Sequence, residues 1–299
     1  RKEKYERSLL AGARGFIFVN HYPGYGPATG GIGHDGEALV PGISISLEDG
    51  AYLRRLAARP GEGVVRVRIT STDRCEPMTS WNVVGDLPGG PRADQIVMLG
   101  SHYDGHDISQ GAEDPASGVV AVMEAARLLA RHAPDLPCTV RFALWGIEEI
   151  GLLGSWAYVA AHPAELDRIR FYLNMDSAGA TGNKRDIVLN QWPELGPLLE
   201  GWREEMALEF AVGQKTAAHS DHVPVFMQGV PTGGMESAEP ALEGRGYGHT
   251  KYDTADKVAL TGLREAAALA ARLALRLASV EQWPVARRNE GQVLALLDT

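Results

Sequence analysis

Cysteine is scarce. Cys75 and Cys138 are the only two in 299 residues, which excludes a disulfide-stapled scaffold and leaves at most one internal bridge. They form no C-x-x-C pair and can equally be two reduced thiols. Positive charge is also short: 29 Lys and Arg face 38 Asp and Glu, for a net charge of −9, with no basic block. A nucleic-acid or anionic-membrane surface is therefore not expected, and a small or peptidic ligand is. Long apolar runs are missing too. The longest, Ala266 to Ala278, is broken by Arg272 and Arg276, too short and too charged to span a bilayer, and reads as an amphipathic helix. No G-x-S-x-G occurs, which argues against serine-hydrolase chemistry. No initiator Met or leader-like segment precedes Arg1, so targeting information is expected outside this sequence.

What is present is a chain that is 44% apolar, enough for one large α/β domain and a smaller appendage. Residues 1–75 read as a small β-rich unit: GFIFVN, GISIS and VVRVRIT as strands, DGAYLRRLAA as a short helix, and glycine-rich turns between them. Gly31, Gly33 and Gly36 match G-x-G-x-x-G, but no helix follows and no βαβ unit surrounds them, so no dinucleotide site is expected. This region resembles the later part of a protease-associated domain. That domain is usually longer, so a longer native amino-terminal region is expected.

Residues 76–284 change grain. NVVGDLPG and DQIVMLGSHYD are expected to be adjacent strands joined by GGPRAD. CTVRFALWG, FYLNMD, RDIVLN and VPTGGM are further strands. Gly118 to His132, SWAYVAAHPAELDRI, PELGPLLEGWREEMAL and Leu260 to Val280 carry helical patterns. The alternation predicts an α/β fold, a mostly parallel central sheet flanked by helices, with its ligand site at the carboxyl ends of the strands. Residues 285–299 are left as a tail.

Candidate chemistry sits at those strand ends. GSHYDGH places His102 and Asp104 just past a hydrophobic strand, on one side of an extended backbone. An isolated H-x-D is usually only a polar strand end. Here GAEDPASG puts Asp114 on a loop entering a helix, ALWGIEEIGLLGS puts Glu148 and Glu149 after the next strand, NMD ends on Asp176, and GHTKYDTADK supplies His249. Each alone is more often hydrogen-bonded structure. Five such places at successive strand ends point to a metal centre, in which adjacent carboxylates that diverge can serve a metal and a water separately.

These motifs, with SDHVPVF followed by GVP, resemble the di-zinc aminopeptidase family that includes glutamate carboxypeptidase II and plasma glutamate carboxypeptidase. The resemblance implies a phosphorylase/hydrolase-like fold and a secreted or periplasmic enzyme. It implies two zinc ions, one held by His102 and Asp176, the other by Glu149 and His249, with Asp114 bridging them and Glu148 free as base. Cobalt or manganese can take the same donors. Asp104 is expected to accept from the far nitrogen of His102 and fix its tautomer. It also implies a cis bond between Asp114 and Pro115.

The chain departs from the family at one place: many members carry a tyrosine just before the last histidine, where Gly248 stands here. Tyr247, Tyr252 and His222 are the candidate donors to a reaction oxyanion, each equally readable as a structural hydrogen-bonding group. Peptide is the expected substrate, cleaved from its amino terminus, with Glu236 or Glu239 adding to a field that holds an ammonium. The alternative is a dipeptidase or carboxypeptidase in which Arg245 grips a substrate carboxylate. A metal-free binding protein and a one-zinc glutaminyl cyclase are weaker rivals, because all five ligands and Glu148 are present.

Overall fold

The computed structural model describes residues 1–32, 37–59, 64–179, 182–238 and 246–297. Among them, strands β1 (Phe16–Val19) and β2 (Gly42–Ile45) form a parallel pair. Strands β3 (Val83–Leu87), β4 (Arg92–His102), β5 (Cys138–Trp145), β6 (Ile169–Asn174), β7 (Arg185–Leu189), β8 (Val212–Gln214) and β9 (Thr232–Ser237) form one sheet in the order β3-β5-β4-β6-β9-β7-β8. The β5-β4, β4-β6, β6-β9 and β7-β8 pairings are parallel, and β3-β5 and β9-β7 are antiparallel. The helices are α1 (Lys2–Leu10), α2 (Leu47–Ala57), α3 (Gly118–Leu129), α4 (Leu153–Ala161), α5 (Gly196–Met206), α6 (His222–Met227), α7 (Leu260–Ser279) and α8 (Glu290–Leu297).

The period of two along the central strands decides the layering. Val97 and Leu99 of β4, with Phe171 and Leu173 of β6, face a core built with α3 and α7. Ile96 and Met98 face the opposite core, with Trp145, Tyr158, Val159 and Val225. Both faces are covered, so these strands read as continuous apolar runs. α7 buries a stripe of alanine and leucine while Arg272 stays exposed, as its amphipathic pattern requires.

Several expectations are corrected. NVVGDLPG does form a strand, but β3 pairs with β5 and not with its sequence neighbour β4. Its burial is slight, which suits an edge strand. VVRVRIT forms no strand: Val64 and Val67 are exposed and have no sheet partner. A helix, α1, stands where none was expected, anchored by the buried Tyr5, whose hydroxyl accepts from the backbone N–H of Leu39 at 2.8 Å. The expected tail over 285–299 contains α8, docked through the buried Val293, and the guanidinium of Arg288 lies 3.7 Å from the centre of the Trp192 ring. Cys75 is exposed and Cys138 buried, and both are free thiols.

At the head of α3 the helix crosses the strand ends closely. A Cβ on Gly118 would stand 2.0 Å from the carbonyl oxygen of Met175 and 2.6 Å from Ser101 Oγ. The bare backbone at Gly118 lets α3, and the loop before it, sit against β4 and β6. Gly118→Ala is expected to cost about 1–3 kcal/mol as an overpacked site, read as a lower urea midpoint at unchanged slope.

Candidate metal centre

Four loops at one end of the sheet converge. His102 ends β4 and is 1% exposed. Its Nε2 lies 3.1 Å from Asp114 Oδ1 and 3.1 Å from Asp176 Oδ1. Asp176 follows β6, and Asp114 sits in the irregular helical turn Ala112–Ser117 that leads into α3. The second oxygen of Asp114, Oδ2, lies 3.3 Å from His249 Nε2, which is 3.4 Å from Glu149 Oε2. The two oxygens of Asp114 thus face different imidazoles. The bond between Asp114 and Pro115 is cis, as expected.

These positions are held from behind. Asp253, 1% exposed, accepts the backbone N–H of Glu113 at 2.6 Å and of Asp114 at 3.1 Å. Glu113 in turn accepts the N–H of Tyr247 at 2.7 Å. The loop carrying Asp114 and the loop carrying His249 are therefore laced together by carboxylates of both. A Cβ at Gly248 would come within 2.7 Å of Asp114 Oδ2, so the glycine in the tyrosine's place leaves room for that carboxylate. His249 adopts a left-handed backbone (φ 61°) and exchanges contacts with Thr29: Thr29 N–H donates to its carbonyl at 2.8 Å, and its Nδ1 faces the Thr29 carbonyl at 3.3 Å. That contact orients the ring so that Nε2 points into the centre.

The role expected of Asp104 is divided. The backbone carbonyl of Asp104 is the near partner of His102 Nδ1, at 2.9 Å, while its carboxylate stays 3.6 Å away. The carboxylate instead accepts the backbone N–H groups of Glu148 and Glu149 at 2.9 and 3.2 Å, fixing the turn that separates the two glutamates. A buried chain of hydrogen bonds runs from Trp145 Nε1 to the Tyr172 hydroxyl, on to Asn174 Oδ1, and from Asn174 Nδ2 to Ser220 Oγ, and positions the opposite wall.

The centre opens into a cleft of about 680 Å³ whose walls include Asp114, Glu148, Glu149, Asp176, His219 and His249. A second hollow of about 470 Å³ shares Asp176, His219 and Ser220 with it and extends to His222 and Glu236. His222 is buried, its Nε2 3.2 Å from the Ala217 carbonyl, and burial lowers its pKa. Tyr247 packs on Tyr25, with Lys257 Nζ 5.6 Å from its ring centre, and Tyr252 lies half-exposed under Lys251. Neither tyrosine lines the cleft. Glu236 pairs with Lys215 at 3.8 Å. Arg245 and Glu239 lie outside the described residues.

Electrostatically the centre is crowded with carboxylates. Burial pushes Glu148 up to about 9, with Asp176, Asp221 and Glu149 adding to the rise against the pull of His102. Burial also lifts Asp221, in SDHVP, to about 7, although Ser155 Oγ donates to it. For His102 burial opposes the charge, but Asp176, Asp104 and Asp114 outweigh it and hold the imidazole protonated far above its usual range. His249 is raised in the same way by Asp114 and Glu149 against its burial. Asp114 is driven below the usual carboxylate range by His102 and His249, again against burial. Among the described residues, His102, Asp114 and Asp176 form one compact group of donor atoms, and His106, Glu149 and His249 another. His106 lies in GSHYDGH, where nothing in its spacing marks it out. Thr29, Glu113 and Asp253 are likewise unmarked in the sequence.

Residues 82–274 match the family model of Peptidase family M28. The chain belongs to peptidase family M28. It is similar to Leucine aminopeptidase 2 of Trichophyton equinum, 33% identical over 247 residues, covering 77% of this chain and 48% of that protein. Leupeptin-inactivating enzyme 1 of Streptomyces exfoliatus is 31% identical over 184 residues, 60% of this chain and 42% of that one. The M28 chain spans about half the length of these sequence relatives. Among solved structures, a Peptidase M28 precursor from Shewanella amazonensis SB2B superposes with a TM-score of 0.73 at 27% identity, over 93% of this chain and 63% of that chain. A zinc aminopeptidase from Bacillus subtilis gives 0.66 at 25%, over 91% and 65%. An Acidobacteriales bacterium glutaminyl cyclase, at 22% identity and a TM-score of 0.54 over 66% and 72%, shares the fold.

Removing the brace behind Asp114 should loosen the centre without touching any of its donors. Asp253→Ala leaves two buried N–H groups unpaired, at about 1–3 kcal/mol each. A fall of at least the lower figure in unfolding free energy is expected from urea titration; an unchanged midpoint would show that the brace carries no load.

Proposed function

We propose that this M28 chain carries the catalytic domain of a zinc-dependent aminopeptidase, which removes amino-terminal residues from peptides at a centre of two metal ions. The observation that supports this most is the division of Asp114 between two imidazoles. On one side His102, Asp114 and Asp176 form a donor set, on the other Asp114, Glu149 and His249. Imidazole and carboxylate suit zinc, and cobalt or manganese accept the same donors. The donor separations of 3.1–3.4 Å also fit. A tetrahedral zinc with bonds of about 2.0–2.2 Å spaces its ligands by about 3.3–3.6 Å, close to these separations.

Two such ions would supply Lewis acidity toward the scissile carbonyl and would bring the pKa of a water near neutrality. Glu148 stands in the same cleft, on the backbone that Asp104 fixes. Its carboxylate would take the proton of the attacking water and pass it to the leaving amine nitrogen. The carboxylate-rich walls favour a substrate ammonium, which places a free amino terminus in the cleft, and Glu236 lies in the adjoining hollow. The aminopeptidase names of the relatives agree with that polarity.

The proposed organisation places the catalytic domain at 76–284, with 1–75 as a partial protease-associated unit that steadies His249 through Thr29 and 285–299 as a docked extension. A secreted or periplasmic setting belongs to the same proposal, from the family resemblance. Among the described residues no helix is long and apolar enough to cross a membrane.

Glu148→Gln should keep its metal content, measured by elemental analysis, and lose about three decades in kcat, the scale of a lost general base. Near-normal kcat would remove Glu148 from the reaction. For substrate polarity, two matched peptides are compared by kcat/KM, one acetylated at its amino terminus and one amidated at its carboxyl terminus. Acetylation should abolish cleavage and amidation should not. The reverse pattern would replace the aminopeptidase reading with a carboxypeptidase.

A further inference from the structure

We propose that His106 is a further protein ligand of the second metal position, beside Glu149 and His249. This rests on the two-ion reading of the centre and adds a residue that the reading does not use. The side chain of His106 is 14% exposed, and its Nε2 lies 2.8 Å from Glu149 Oε2. Its ring centre stands 4.5 Å from that of His249, and donor atoms of His106, Glu149 and His249 lie within 4.8 Å of one another.

The direction of the nitrogen matters more than the distance. His106 Nε2 is buried and, although close to Glu149 Oε2, is not aligned to hydrogen-bond with it; among the described residues Glu149 Oε1 is buried without a partner as well. A buried polar atom left so is costly unless something else satisfies it. A nitrogen and a carboxylate oxygen that approach to 2.8 Å without hydrogen-bonding, beside a second imidazole that shares the same carboxylate, present their lone pairs to one place, and a cation between them would widen that separation to the spacing of two ligands. The loop after β4 thereby reaches both positions: His102 at its start serves the first, and His106 four residues on serves the second.

The test is zinc titration of the metal-stripped protein against a competing chelator, on wild type, His106→Ala, His106→Asp and His106→Gln, with the visible spectrum of the cobalt-loaded forms as a second readout. Wild type should bind two ions. His106→Ala should weaken one of them by more than about 100-fold, beyond the 10–100-fold typical of a residue that only supports a ligand, and leave the other unchanged. Asp, which can bind zinc, should restore most of the loss and the cobalt band. Gln, which can only hydrogen-bond Glu149, should not. If His106→Ala fails to fold, the Asp and Gln pair decides alone. Two wild-type affinities in His106→Ala, or equal rescue by Gln and Asp, would overturn the proposal. A wild-type chain that holds fewer than two ions would sink the two-ion reading itself, and this inference with it.

Discussion

Everything in the centre depends on where one carboxylate points. Asp114 faces His102 with one oxygen and His249 with the other, and these two residues come from the end of β4 and from a loop almost 150 positions later. Holding it there takes backbone N–H groups bonded to side-chain carboxylates: Asp253 accepts the N–H groups of Glu113 and Asp114, Glu113 accepts that of Tyr247, and Gly248 clears the space into which the carboxylate reaches. Bonds to ionised acceptors are the stronger kind, and here they are almost fully buried. The close approach of α3 at Gly118 sets the height of the same loop above the sheet.

The second constraint is repulsion. Asp104, Asp114, Glu148, Glu149, Asp176 and Asp221 crowd the end of the sheet, and the carboxylates near His102 and His249 raise the pKa of both imidazoles against their burial. Such a cluster is unfavourable to bury unless cations or protons occupy it. Glu148 and Asp221 meet the demand by binding their protons more tightly, and Asp114 by leaning on two imidazoles.

The amino-terminal unit is more than an appendage to this arrangement. Its Thr29 meets His249 through both backbone and ring, Tyr25 packs on Tyr247, and Gly30 and Gly31 line the cleft. The last proposed ligand thus sits between the two units of the chain, under contacts from each.

Strands β4, β5 and β6 and helices α3 and α7 were legible in sequence because apolar period and length are properties of a segment. The same holds for the candidate site residues: His102, Asp114, Glu148, Glu149, Asp176 and His249 each follow a buried strand or precede a helix, and the structure brings five of them to one cleft with His102 directly behind Asp114 and Asp176. Pairing is different. That β3 lies against β5, that the valines of VVRVRIT find no partner, and that the final residues dock as a helix depend on what other segments leave open. So do Thr29, Asp253 and His106, ordinary residues until packing carries them to Asp114 and His249. Sequence by itself determined which side chains could bind metal and on which elements they ride, since those follow from local chemistry. Tertiary structure decided which of them meet, which oxygen of Asp114 faces which imidazole, and what holds each in line, because those contacts join residues far apart in the chain and exist only once the sheet has closed around its two cores.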